Sequence, residues 1–131
     1  MSTQPIDGPR LVRIADICAA LPETTHKVYD DYAEFRVRNK LFAYYLHNHN
    51  GDGIISVCCK SELGENVDRV GRKPDLYYLP RYIGKRGWFG LRLDRGKISW
   101  REVENAIELS YCLAAPKKLA ALVQQRYEKL T

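Results

Sequence analysis

The sequence predicts a two-layer α+β fold in which helices cover one face of a five-stranded antiparallel sheet. Residues 32–38 alternate between apolar and polar side chains, which is typical of a strand with one face in solvent. Turn-forming residues separate this segment from two further segments of high strand propensity. Ser99 and Glu102 have the spacing of a capping box, which predicts that a helix follows. Strands followed by helices in this order indicate an α+β architecture.

The first half of the chain is predicted to contain one helix and three strands. Asp7 caps the helix, Pro9 occupies its first turn, and apolar residues then recur at helical spacing. Pro22 ends the helix, because the residue before a proline is disfavoured in the α conformation. The strands form a meander at residues 32–38, 41–47 and 54–59, with turns at residues 39–40 and 47–53.

The second half is predicted to contain a short helix, two strands and two longer helices. The short helix lies within residues 60–70 and aligns Leu63, Val67 and Val70 on one side. The strands lie at residues 77–79 and 88–93, and the last two helices begin at Trp100 and Pro116. The helix after Ser99 should bury Val103, Ala106, Ile107, Ser110, Tyr111 and Ala114, and the last helix Leu119, Leu122, Val123, Tyr127 and Leu130. We expect one shared core containing Phe35, Val37, Leu91, Leu93, Val103, Ile107 and Leu122.

Length and composition predict a single domain spanning residues 1–131. A chain of 131 residues that is 45% apolar can bury a core without disulfides or metals. No apolar run is long enough to span a bilayer, so no membrane partner is expected. The first ten residues lack the basic and apolar segments of a signal peptide, so we expect a cytoplasmic protein. The four cysteines form no C-x-x-C pair, and we expect them to be reduced and largely buried.

The positive charge is concentrated in one segment. Residues 69–101 carry ten basic and two acidic side chains, whereas the whole chain has a net charge of only +5. A local excess of this kind is what a surface for an anionic partner requires. Within it, residues 77–100 combine both tryptophans with four glycines. The predicted nucleic-acid contacts are Arg72, Lys73, Arg81, Tyr82, Lys85, Arg86, Trp88, Arg92, Arg95 and Lys97.

These residues admit two interpretations. In the first, the cations contact phosphates, and aromatic residues such as Trp88 and Tyr82 supply stacking. In the second, the segment is a hairpin with a solvated basic loop and buried aromatics. We expect Trp88 to be partly buried at the sheet edge, with the cations beyond it making the contacts.

No constellation of catalytic or metal-binding residues is apparent. His47 and His49 lie in turn sequence and lack a third ligand at a sensible spacing. The acidic group of Asp30, Asp31 and Glu34 has no base or nucleophile beside it. The G-x-x-G pattern at residues 84–87 precedes a strand, whereas in KH domains this loop joins two helices. We therefore expect no enzymatic activity, no cofactor and no metal.

Several segments carry a resemblance to the MmcQ/YjbR-like family of small bacterial proteins. They are FRV at residues 35–37, KLFA at 40–43, YIGKRGWFGLRLD at 82–94, SY at 110–111 and APKKL at 115–119. The resemblance extends over about residues 10–123 and implies a CyaY-like α+β fold. It also implies DNA binding, through likeness to a double-wing module. Because residues 78–87 depart from the family pattern, contact residues transfer only at Arg86, Gly87 and Trp88.

Three functional hypotheses follow. The first is a DNA-binding protein that contacts phosphates through a basic, wing-like loop at residues 80–97. The alternative is a protein-interaction module that docks an acidic partner on the basic loop or on an open sheet face. The third, an enzyme or ligand-binding protein, has the least support, because no acid–base or nucleophile arrangement is visible. The basic segment argues against the third hypothesis but does not separate the first two. It also disfavours the iron-binding role of CyaY-like proteins, which uses an acidic ridge.

Overall fold

The computed structural model describes the backbone of residues 8–130 and the side chains of residues 8–125. Its helices are α1 (Pro9–Ala19), α2 (Glu65–Arg72), α3 (Trp100–Ala114) and α4 (Lys117–Leu130). Its strands are β1 (Thr24–Val28), β2 (Tyr32–Val37), β3 (Lys40–His47), β4 (Ile55–Lys60), β5 (Tyr77–Tyr78) and β6 (Trp88–Arg92). No helix among the described residues is long and apolar enough to cross a membrane.

The strands form one antiparallel sheet in the order β1-β2-β3-β4-β6-β5. Helices pack on one face of the sheet, which we call the inner face, and the opposite face, which we call the outer face, carries no helix within the described part of the chain. The two-layer α+β prediction is confirmed. The sheet has six strands rather than the five predicted.

The additional strand is β1, which lies at the sheet edge. Its sequence, TTHKV, has no apolar alternation, and four of its five residues are exposed. Backbone pairing with β2 sets its register, with Thr24 opposite Val37 and Val28 opposite Ala33. An edge strand held by backbone pairing needs no apolar face of its own, so hydrophobic periodicity does not detect it.

The inner face and α3 form the core as predicted. Phe35, Val37, Leu91 and Leu93 are at most 2% exposed, and all six residues predicted for the buried stripe of α3 are buried. The polar member, Ser110, donates a hydrogen bond to the Phe42 carbonyl and accepts one from the Lys60 amide at 2.7 Å. This serine therefore ties α3 to β3 and β4.

The prediction for Leu122 is wrong. Leu122 is 53% exposed, whereas Leu119 and Val123 of the same helix are buried. Leu119 and Val123 are four residues apart and share one side of α4, and Leu122 is rotated about 100° from Val123. Contact with α3 buries only that narrow side. The side chains of Tyr127 and Leu130 lie outside the described residues.

Three local features also differ from prediction. The N-cap of α1 is Gly8, while Asp7 lies outside the described residues. The turn between β2 and β3 is formed by Arg38 and Asn39, with φ of 45° and 71°, one residue earlier than expected. Two successive residues of positive φ are typical of a tight hairpin turn. Of the apolar side predicted for α2, Leu63 lies before the helix and is exposed, Val67 is exposed, and Val70 is half-buried against the core, while the buried residue of the helix is Asn66.

Candidate nucleic-acid interface

The centre of the basic segment is the loop at residues 79–87, which joins β5 to β6 and which we call the hairpin loop. It ends in a 3-10 turn at Ile83–Arg86, followed by Gly87 with φ of 95°. The Gly87 carbonyl accepts hydrogen bonds from the amide and the hydroxyl of Ser61, at 2.9 and 2.7 Å. A Cβ at Gly87 would lie 2.4 Å from the Ser61 carbonyl oxygen, so only glycine fits this approach. The loop is thereby fixed to the end of β4.

Asn66 in α2 is the second anchor of the hairpin loop. Its Nδ2 donates to the carbonyls of Gly84 and Trp88, at 2.8 and 3.0 Å, and its Oδ1 accepts from the Gly64 amide. The side chain is 1% exposed. Asn66 thus holds the loop at both ends of its 3-10 turn. The sequence analysis missed this residue, because an asparagine in a short helix carries no signal of such a role.

Tyr82 lies exposed within the hairpin loop. It is 83% exposed, and its backbone has φ of 67° and ψ of −55°, a strained conformation for a bulky residue. Arg81, Lys85 and Arg86 are exposed in the same loop, and none of them pairs with a carboxylate of the described residues. The structure therefore brings these four predicted residues together.

Trp88 is a buried residue. It is 4% exposed and packs against the Tyr44 ring, with centroids 5.5 Å apart, beneath the Lys60 ammonium at 5.8 Å. The expectation that Trp88 is only partly buried is wrong, and its ring face is not available to a nucleic-acid base. The neighbouring Tyr82 presents the exposed ring instead.

The remaining predicted residues lie away from the hairpin loop. Arg92, at the far end of β6, makes a two-pronged ion pair with Asp94 at 2.9 and 3.0 Å. That guanidinium lowers the pKa of the Asp94 carboxyl. Arg95 and Lys97 follow β6, whereas Arg72 and Lys73 lie at the end of α2. Because five strand residues span about 17 Å, the ten predicted residues do not form one continuous surface.

Beside the hairpin loop, the outer face of the sheet carries a row of aromatic side chains. Tyr29 stacks on Tyr32 at 4.5 Å, Tyr32 lies 6.2 Å from Tyr44, and Tyr44 lies 5.5 Å from Trp88. The three tyrosines are half-buried. Tyr29 and Tyr32 are close in sequence, and the pairing of β2 with β3 brings Tyr44 beside Tyr32.

Possible ligands for a metal do not converge in the described part of the chain. No group of three or more histidine, cysteine, aspartate or glutamate side chains there has a suitable arrangement. Nδ1 of His49 lies 3.0 Å from Asp31 Oδ2, and the His47 ring lies against Tyr45. Cys18, Cys58 and Cys59 are buried free thiols and Cys112 is half-buried, as predicted.

Comparison with known protein families identifies the family of this chain. The YjbR family model matches residues 19–113, a span that includes the hairpin loop, α2 and all but the last residue of α3. The chain belongs to the YjbR family. The fold of this YjbR protein is also similar to the crystal structure of the Deinococcus radiodurans protein DR2400, which has a DUF419 domain. The two share 17% sequence identity with a TM-score of 0.63, over 86% of this chain and 81% of that one. The comparison of the YjbR chain with curated proteins gave no match.

Proposed function

We propose that this YjbR protein is a non-enzymatic DNA-binding protein that contacts phosphates through the hairpin loop. The observation that carries the proposal is that Arg81, Lys85 and Arg86 are exposed in the same loop as the exposed ring of Tyr82 and pair with no carboxylate of the described residues. Unpaired cations attract the phosphate backbone, and an aromatic ring among them can stack on an unpaired base. The contacts to Ser61 and Asn66 hold the loop in place before binding, which lowers the entropic cost of association.

The contacts available in the hairpin loop favour phosphate binding over sequence reading. Three of its four candidate side chains are cations, and phosphate contacts carry no direct sequence information. Affinity should therefore depend strongly on salt, with log K falling by about 0.9 per log unit of salt for each phosphate contact on duplex DNA.

A second candidate function is docking of an acidic protein segment on the same loop. Leu63, Val67 and Leu79 are 76%, 56% and 44% exposed, and they line a shallow groove together with Tyr82. Exposed apolar groups beside cations suit a partner that carries both apolar and acidic side chains. The DNA proposal is preferred because the hairpin loop combines its exposed cations with the exposed ring of Tyr82, and cations beside an aromatic ring suit phosphates and bases together.

The test is a titration of the protein against duplex and single-stranded DNA of unrelated sequences at several salt concentrations. The double variant K85A/R86A should bind every sequence more weakly, and its salt slope should be smaller by up to about 1.8 on duplex DNA. The matched control is K117A/K118A, which removes the same charge from exposed positions on α4. Equal behaviour of the two double variants, or no DNA binding at low salt, contradicts the proposal and favours the protein partner.

Tyr82→Ala provides an arm of the same experiment that does not change charge. It should weaken single-strand binding by roughly 1–3 kcal/mol if the ring stacks on a base. Because Tyr82 is 83% exposed, the melting temperature should stay unchanged. Tyr82→Phe, which keeps the ring, should retain the affinity. If Tyr82→Ala binds single-stranded DNA as tightly as the wild type, the Tyr82 ring does not stack on a base.

A further inference from the structure

A second cluster of basic residues lies between α2 and α3, on the other side of the molecule from the outer face. Arg69 and Arg72 are one turn apart in α2, and Lys73 follows at its end. From α3, Glu102, Asn105 and Leu109 project on one side, because they are spaced three and four residues apart. Together with Tyr77 they line a half-open cavity of about 350 Å³, which we call the α2–α3 cavity.

The charges in the α2–α3 cavity do not cancel. Glu102, the only carboxylate among the described residues that line it, accepts a hydrogen bond from the Tyr77 hydroxyl and lies 3.4 Å from the Lys73 ammonium. Burial and Glu102 raise the pKa of Tyr77 to about 12, so this hydroxyl stays protonated and continues to donate. Neither Arg69 nor Arg72 has a carboxylate partner among the described residues. Two guanidinium groups are thus left to attract an anion.

Arg69 is held in position by aromatic rings. Its guanidinium carbon lies 4.4 Å from the centroid of Phe89 and 5.7 Å from that of Tyr77. Stacking on rings restricts the guanidinium plane, and the five N–H donors of a guanidinium exceed what the contact with the Tyr77 hydroxyl uses. The planar fork of an arginine matches the oxygens of a phosphate or carboxylate.

We propose that the α2–α3 cavity binds a small organic phosphate, a phosphomonoester whose phosphate group contacts Arg69 and Arg72. A dianionic phosphate group complements two guanidiniums that have no carboxylate partner in the described part of the chain. Ala106 and Leu109 form an apolar wall beside this cationic end, against which a small organic body can pack. The volume of about 350 Å³ lies in the range of small-ligand sites. Inorganic phosphate could make the same contacts with Arg69 and Arg72. The apolar wall favours the organic phosphate, because only that ligand has an apolar body to pack against it.

The test uses the full chain labelled with ¹⁵N, titrated with phenyl phosphate, inorganic phosphate and phenol. Phenyl phosphate should shift amide signals of residues 69–77 and 102–109 and bind more tightly than inorganic phosphate, and phenol should cause no shift. Arg72→Ala should weaken the binding of phenyl phosphate by about tenfold, as expected for loss of a charged hydrogen bond. Arg95→Ala, which removes an exposed arginine after β6, is the control and should bind like the wild type.

Three outcomes would overturn the assignment. One is the absence of shifts in these segments at millimolar phenyl phosphate. Another is equal affinity for inorganic phosphate, which would remove the organic body from the ligand. The third is loss of DNA affinity in Arg72→Ala, which would assign the cavity to a nucleic-acid backbone. The proposed DNA function is tested separately, because K85A/R86A should leave phenyl phosphate binding intact.

Discussion

At the scale of single residues, Gly90 shows how closely the outer face of the sheet is packed. A Cβ at Gly90 would lie 2.2 Å from Cε1 of Tyr78 on the neighbouring strand. The Tyr78 hydroxyl hydrogen-bonds Ser56 Oγ at 2.7 Å and lies 3.8 Å from Cys58 Sγ. Burial is the main cause that raises the pKa of Tyr78 well above its usual value, so the hydroxyl stays neutral in this contact. Glycine is needed at position 90 because the tyrosine ring covers it.

Gly90→Ala should therefore destabilise the protein. The added methyl group must displace the ring or the strand, and overpacking of this kind costs roughly 1–3 kcal/mol. Urea denaturation followed by circular dichroism measures the change. Gly71→Ala in α2 is the control, since nothing lies within 4 Å of its added Cβ. Because alanine favours a helix over glycine by up to about 1 kcal/mol, that variant should be equal to or more stable than the wild type. Wild-type stability of Gly90→Ala would contradict the close contact with Tyr78.

The aromatic residues of the candidate site illustrate what the sequence leaves open. Alternation correctly assigns Trp88 to the face opposite Phe89 and Leu91, and a face without helices suggests exposure. Its burial comes from Tyr44 and Lys60 on other strands, which is a property of the pairing register and not of the local sequence. Similarly, no local pattern predicts that Tyr82, rather than a glycine, adopts positive φ.

At the scale of elements, α2 serves the hairpin loop more than the core. Its predicted apolar side is confirmed only at Val70, which packs against the core, because Leu63 and Val67 are exposed and Asn66 is the buried residue. What α2 contributes instead is a pair of hydrogen bonds to the loop and, one turn further on, the ring-stacked Arg69. Periodicity could predict that a helix exists here, but a buried side that is polar has no hydrophobic signal.

Asn66→Ala should loosen the hairpin loop. The variant leaves the Gly84 and Trp88 carbonyls without their donor, and an unsatisfied buried group costs roughly 1–3 kcal/mol. Hydrogen exchange should accelerate first at residues 83–88, because local opening requires less free energy than global unfolding.

The companion variant is Asn66→Asp, which preserves the shape of the side chain but not its donor. It should accelerate exchange in the same residues. If loop exchange is unchanged in both variants, the loop does not depend on Asn66 for its position.

At the scale of the whole molecule, the two faces of the sheet differ in how well the sequence predicts them. Strand alternation and the α3 stripe predict the inner face correctly, because helices bury it and leave a strong hydrophobic pattern. The edge strand β1 and the outer face lack such a pattern, since backbone pairing and side chains from several strands determine them. The basic residues differ, because their concentration is visible in the sequence and the strand predicted at residues 88–93 already separates those before it from those after it.

The last prediction compares two leucines that the sequence predicts to lie in one core. Leu91 is 2% exposed on the inner face, and Leu122 is 53% exposed on α4. Leu91→Ala should destabilise the protein by roughly 2–5 kcal/mol, because it removes buried methyl groups and leaves a cavity. Leu122→Ala should change the stability by no more than about 0.5 kcal/mol, as is usual at surface positions. Both values come from urea denaturation at equal protein concentration. A large loss of stability in Leu122→Ala would mean that another chain covers this side of α4 in solution. Denaturation of the wild type at several protein concentrations tests that explanation, because stability that depends on association rises with protein concentration.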